Sequence, residues 1–181
     1  MRLPRTIRLD PSDLVVFQQA APAGEWAVPG GFAFWDEDPA TLAGKRRQEF
    51  RAGFLAVGSF GWSTLVEVAE AGPAEVEAAV AALSAHIQDC YGAPDAAAAE
   101  AAAREEIGFA ASLCDHPPGT VLALSRVMED GAVRERFRTL HRRDAPHADF
   151  GALPVFGILE VSGEDEPTEQ PDLTRLAKDT P

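Results

Sequence analysis

Apolar residues in the first 142 positions recur either at every second residue or at helical spacing. After Gly61 the period is two, which is typical of a strand that buries one face, formed here by Trp62, Thr64, Val66 and Val68. After Gly72 and Pro73 the period becomes helical, with one apolar stripe through Val76, Val80, Leu83, Ile87 and Cys90. The chain is therefore predicted to contain both kinds of element.

The N-terminal region predicts strands followed by one helix. β-Branched and aromatic residues at 6–9, 14–17, 26–28 and 32–35 favour a meander of two or three antiparallel strands. Asp38 and Pro39 then predict a helix start, because Asp can cap free N–H groups and Pro fits the first helical position. This helix is expected to end near Gly58.

The rest of the domain predicts two helices and a hairpin. The helix from Pro73 is followed by another from Asp95 to Cys114, and the prolines at 117 and 118 prevent it from continuing. Strands at 121–128 and 132–140 flank Asp130-Gly131, a strong hairpin signal. The resulting order predicts an α+β fold: a mostly antiparallel sheet of about five to six strands, with about three helices packed on one face.

A change in composition predicts the domain organisation. Residues 1–142 are expected to form a single α+β domain, and residues 143–181 a Pro-rich, acidic C-terminal extension. Within the extension, residues 153–161 are apolar enough to dock as an edge strand. The remainder is expected to be loosely ordered.

Charge and composition exclude several classes of partner. Sixteen basic residues against twenty-nine acidic ones leave a formal charge of −13, which opposes binding to nucleic acids and to anionic membranes. The sequence shows neither a signal peptide nor an apolar window of about 20 residues, so a cytoplasmic protein is expected. Abundant Ala and Arg with only two lysines favour a bacterial source.

The familiar fingerprints of catalysis, cofactor binding and metal binding are missing from the sequence. It has no Gly-rich phosphate loop, no Gly-x-Ser-x-Gly turn, no His-Glu-x-x-His helix and no paired-cysteine zinc spacing. We therefore predict no catalytic residue, no cofactor and no metal. These absences favour a non-enzymatic function over an enzymatic one.

The most suggestive cluster is Cys114, Asp115 and His116, which places a thiol, a carboxylate and an imidazole at a helix end. One interpretation is the edge of a ligand site, or of an active site built around Cys114 and His116. The other is a helix terminus, because the partial negative charge there disfavours a thiolate and suits a histidine. Cys90 and Cys114 are expected to be reduced packing residues.

An arginine row is the second candidate. Arg134, Arg136 and Arg138 alternate along one predicted strand, so they share a face, and Arg126 on the partner strand is predicted to lie near them. Guanidinium groups in such a row bind carboxylates and phosphates. The alternative interpretation is a solvated face neutralised by the chain's own carboxylates.

Three stretches carry a resemblance to a known family: residues 3–10, 61–66 and 109–116. They resemble an uncharacterised family of small proteobacterial proteins labelled as a domain of unknown function, over about residues 1–142. The resemblance implies genes encoded near accessory genes of molybdenum-dependent formate dehydrogenases, and hence a maturation or accessory role.

Three functions follow from these observations. The first is a non-enzymatic accessory or interaction protein with a protein partner, in the maturation of a molybdenum-dependent oxidoreductase. The second is a binding module for a small anion that uses the arginine row, and the third is a Cys/His enzyme. The sequence does not fix the oligomeric state.

Overall fold

The computed structural model describes residues 1–142 and 159–162. Within them the strands are β1 (Arg2–Ile7), β2 (Ala27–Val28), β3 (Phe54–Ala56), β4 (Trp62–Ser63), β5 (Leu65–Glu70), β6 (Val121–Glu129), β7 (Ala132–Arg142) and β8 (Leu159–Ser162). The helices are α1 (Ser12–Val16), α2 (Gly44–Ala52), α3 (Pro73–Tyr91) and α4 (Ala96–Ser112), with a 3-10 turn at Gly31–Phe34. The predicted α+β class is confirmed.

All described strand pairs are antiparallel, and they form two sheets. The large sheet has the order β1-β5-β6-β7-β8, and the small sheet has the order β2-β3-β4. In the large sheet Val66 lies opposite Leu122 and Leu124 lies opposite Phe137. These pairs fix which residues share a face.

The two faces of the large sheet differ in burial. On the face that we call the covered face, the side chains are buried, as at Val66, Val68, Leu122 and Leu124. The helix α2 contacts β6, and Phe109 of α4 contacts Phe137 of β7, so both helices lie over this face. The face that we call the open face carries half-buried and exposed residues, including Ala123, Ser125 and Val127.

The helix α3 packs on α4 and completes the core. Its predicted apolar stripe is buried at Val80, Leu83 and Ile87, which meet the small residues Ala99 and Ala103 of α4. Alanine lets the two helices approach closely. The predicted packing role of Cys90 is wrong, because this last residue of the stripe is exposed.

Within the described part of the chain, no helix combines the length and apolar character needed to cross a membrane.

Two predicted strands are wrong, because tertiary contacts override strand propensity. Residues 14–16 lie in α1, where Asp13 accepts hydrogen bonds from the main-chain N–H and the hydroxyl of Thr64, at 3.2 and 2.6 Å. Residues 32–34 lie in the 3-10 turn. Gly30 precedes it with a φ of 73°, packed against Leu55 and Trp62, and this left-handed residue turns the chain away from an extended path.

Two predicted boundaries also shift. The helix predicted from Asp38 begins only at Gly44 and ends at Ala52, so Phe54 lies in β3 instead of on the helix. The helix α4 ends at Ser112, which places Cys114 in the following loop.

The predicted C-terminal extension lies mostly outside the described residues, namely at 143–158 and 163–181. Of the segment predicted to dock, only residues 159–161 are described, as part of β8, which pairs with β7. The division of the chain at residue 142 stays a prediction.

Candidate functional site

The Cys114 thiol is part of the core. Its residue is 2% exposed and packs with Val66, Val68 and Leu122 of the covered face. Burial raises the pKa of this thiol to about 11, although the nearby Arg2 guanidinium acts in the opposite direction. At neutral pH the thiol therefore stays protonated, which does not suit a nucleophile.

The loop after α4 borders a small hollow of about 260 Å³ at the N-terminus of the chain. Its lining consists of Met1, Arg2, Ala111, Ser112, Cys114 and Asp115. Arg2 donates a hydrogen bond from Nη1 to the main-chain carbonyl of His116 at 2.8 Å, so this cation holds the loop backbone. The hollow is smaller than the roughly 300–1,000 Å³ of typical ligand pockets.

The arginine row lies on the open face. Arg134, Arg136 and Arg138 occupy alternate positions of β7, opposite Val127, Ser125 and Ala123. Glu129 forms an ion pair with Arg136 and lies 3.9 Å from Nε of Arg134. The chain's own carboxylate therefore neutralises part of the row.

The predicted proximity of Arg126 to this row is wrong. In the β6–β7 register Arg126 lies opposite Glu135, and neighbouring positions of β7 project to the opposite face. Arg126 is therefore on the covered face, and it is 1% exposed. It shares no ligand surface with Arg134, Arg136 and Arg138.

The guanidinium of Arg126 joins several loops to the large sheet. Its Nε donates to Oε1 of Glu135 at 2.6 Å, and Nη2 donates to the carbonyl of Pro29. Nη1 donates to the carbonyls of Phe50 and Gly53, at 2.8 and 3.3 Å. Since all three nitrogen atoms have protein acceptors, Arg126 stabilises the fold and is not available to a ligand.

Glu106 of α4 lies close to this ion pair. Burial raises the pKa of its carboxyl to about 7, and repulsion from Glu135 and Glu105 adds to the rise, while Arg126 opposes it. The half-buried carboxyl group of Glu106 therefore changes its charge near neutral pH.

Exposed apolar side chains lie on α4 and on the neighbouring β6–β7 hairpin. Phe109, Met128 and Val133 are 43%, 45% and 45% exposed, and Met128 lies directly opposite Val133 near the end of the β6–β7 hairpin. Phe109 contacts the half-buried Phe137 edge-on, with 5.9 Å between the ring centroids. We call the surface formed by Phe109, Met128, Val133 and Phe137 the hairpin patch.

A comparison with known proteins places the chain in a family. A family of unknown function (DUF6505) matches residues 1–155. The chain belongs to this family. No curated protein and no solved structure is significantly similar to it.

The DUF6505 match confirms the resemblance to a family of unknown function, and it reaches residue 155 instead of 142. Every residue of the hairpin patch, together with Glu106, lies inside the matched range. The patch therefore belongs to the DUF6505 part of the chain and not to the acidic extension.

The described part of the DUF6505 chain holds no group of three or more His, Cys, Asp or Glu side chains that could bind one metal ion. Asp115 and His116 lie beside the hollow at the N-terminus, and the arginine row lies on the open face. The structure thus does not bring the two sets of predicted site residues together in one pocket.

Sequence reasoning missed Glu106 and the hairpin patch. A signal for Glu106 existed, because helical spacing places it on the same side of α4 as Ala103, Ile107 and Ala110, which are all buried. The raised pKa of Glu106 had no such signal, because it depends on burial in the packed molecule and on repulsion from Glu135, which is distant in the sequence.

Proposed function

We propose that this DUF6505 protein is a non-enzymatic accessory protein that binds a partner protein through the hairpin patch. The observation that supports this function is the set of three large apolar side chains, each more than two fifths exposed, on α4 and the β6–β7 hairpin. Exposed apolar surface next to polar groups is typical of protein interaction sites.

The proposed partner presents apolar side chains together with a lysine or an arginine. Glu106 has Glu105 and Glu135 as electrostatic neighbours, and both favour its neutral form. A cation bound beside Glu106 would reverse that effect and form a charge-assisted contact. The formal charge of −13 also attracts a basic partner over longer distances.

The family resemblance supports a more specific version of this proposal. A partner from the maturation of a molybdenum-dependent oxidoreductase is the first to be tested, because the resemblance implies an accessory role there. The surface chemistry adds the requirement that this partner carries a basic, apolar segment.

Site-directed photo-crosslinking can test the patch directly. A photoreactive amino acid at Val133 should crosslink one defined protein in cells, and the same residue at Val15 should not. Val15 is a matched control, because it is also an exposed valine, at 71%, but lies on α1 outside the patch. Equal crosslinking from both positions, or none from Val133, would contradict the proposal.

Affinity measurements with the partner protein that crosslinking identifies complete this test. Val133→Asp should weaken binding by at least about tenfold, because it places a charge in an apolar contact, two residues from Glu135 on the same face of β7. Val15→Asp should leave the affinity unchanged. Circular dichroism on both variants checks that each one is folded.

A second candidate function is the binding of a small anion by the arginine row. It is favoured by the shared face of Arg134, Arg136 and Arg138 and by the 61% exposure of the Arg134 side chain. An anion at about 100 times its Kd should add roughly 2.7 kcal/mol to the free energy of unfolding. Thermal shifts with phosphate and with di- and tricarboxylates test this, and no shift with any of them would remove the candidate.

A further inference from the structure

The last turns of α3 bring an imidazole and a thiol together on the surface. His86 and Cys90 are four residues apart on the helix, so they lie one turn above the other. Sγ of Cys90 is 3.6 Å from Nδ1 of His86, and Cys90 is exposed. Cys90 is thus open to solvent, and His86 beside it is half-buried.

Neighbouring rings restrict the orientation of the imidazole. Phe60 stacks on His86 with 3.6 Å between the ring centroids and only 8° between the planes. Tyr91 contacts the imidazole edge-on, at 5.4 Å. The two ring contacts together limit the rotation of the His86 side chain.

The distance between the two donors matches one edge of a zinc coordination tetrahedron. Zn–S and Zn–N bonds of about 2.3 and 2.0–2.1 Å at a tetrahedral angle place sulfur and nitrogen about 3.5 Å apart. We propose that His86 and Cys90 form a two-donor site for a thiophilic divalent cation such as zinc. Water or donors from another molecule fill the remaining positions.

The electrostatic environment favours this site. Burial lowers the pKa of His86, and the carboxylate of Asp89 acts in the opposite direction. The negative charge of Asp89 also attracts a cation. As the metal–sulfur bond forms, the Cys90 thiol releases its proton to the solvent.

Titration with Co²⁺ tests the site, because a thiolate bound to Co²⁺ gives a charge-transfer band in the near ultraviolet. The untagged full chain, reduced with a phosphine, should develop this band, and Zn²⁺ should displace it. A ratio of one metal per chain or one per two chains would support the proposal. No band in a large excess of Co²⁺ would overturn it.

Three variants identify the donors. Cys90→Ser should abolish the band, and His86→Phe should weaken Co²⁺ binding while keeping a ring to stack on Phe60. Cys114→Ala is the matched control, since it removes the other cysteine and should keep the band. A band that persists in Cys90→Ser but disappears in Cys114→Ala would show that the wrong thiol had been assigned.

Discussion

Arg126 on β6 and Arg136 on β7 are close in the large sheet, yet their side chains project from opposite faces. Arg126 is buried and donates to one carboxylate and three main-chain carbonyls. Arg136 is 46% exposed, and its carboxylate partner among the described residues is Glu129, which is itself 40% exposed. The same residue type therefore stabilises the fold on one face and remains solvated on the other.

This difference shows why charge composition alone does not locate a binding site. A buried guanidinium must have an acceptor for its N–H groups, because an unpaired buried charge is strongly unfavourable. A solvated guanidinium gains little from its partner and remains available to a ligand. We therefore expect arginine substitutions on the two faces to lower the free energy of unfolding by different amounts.

Arg126→Met should give the largest effect. The substitution removes four hydrogen bonds, and it leaves the carboxylate of Glu135 and the carbonyls of Pro29, Phe50 and Gly53 without this donor. Removing one partner of a buried ion pair costs about 3–5 kcal/mol. Urea denaturation should show a loss of that size in the free energy of unfolding.

Arg136→Met is the matched control for Arg126→Met. It removes the same side chain from the open face and should change the free energy of unfolding by no more than about 1 kcal/mol. Equal losses in the two variants would contradict the assignment of a structural role to Arg126 alone.

Glu106→Gln should give the next largest effect, through the pH dependence of stability. The carboxyl pKa is about 7 in the folded chain, against an ordinary value of 4.5. Between these values the folded chain holds a proton that the unfolded chain has released. The stability due to Glu106 is therefore fully present below pH 4.5, and it is lost as the pH rises through about 7.

The expected loss across this window is about 1–3 kcal/mol, reduced from the full shift because Glu106 is partly exposed. Urea denaturation between pH 4 and pH 8 should show a shallower decline for Glu106→Gln than for the natural chain. Glu105→Gln is the control, because Glu105 is exposed. This variant should show the same decline in the free energy of unfolding with pH, centred at a slightly lower pH, because Glu105 raises the pKa of Glu106. Parallel curves for Glu106→Gln and the natural chain would rule out this titration.

The sequence predicts elements well where the signal is local. The helix α3 begins at Pro73 as expected, and the hairpin turns at Asp130 and Gly131, which both have positive φ. The segments 14–17 and 32–35 were mispredicted, because Asp13 and Gly30 are fixed by partners distant in the sequence.

The same distinction between local and tertiary signals applies to the candidate site residues. A two-residue turn at 130–131 implies that Arg126 lies opposite Glu135, so the separation of Arg126 from the row could have been predicted. The burial of Cys114 could not, because it depends on how the loop after α4 meets β5 and β6. Local patterns define faces, while the environment of each side chain requires the packed molecule.

Glu129→Gln should give the smallest effect and tests the open face most sharply. Glu129 neutralises Arg136 and lies near Arg134, but all three side chains are at least 40% exposed. Surface ion pairs of this kind contribute about 0–1 kcal/mol, and salt screens them. Urea denaturation should therefore show a small loss at low ionic strength that disappears in concentrated salt.

The same variant separates the two roles of arginine in this sheet. If Glu129 only neutralises the row, its loss should strengthen any thermal shift that phosphate produces, because it exposes Arg134 and Arg136 to the anion. The phosphate response of Arg126→Met should match that of the natural chain, since Arg126 lies on the other face. A loss of several kcal/mol in Glu129→Gln that persists in concentrated salt would mean that the open face, too, depends on its ion pairs for stability.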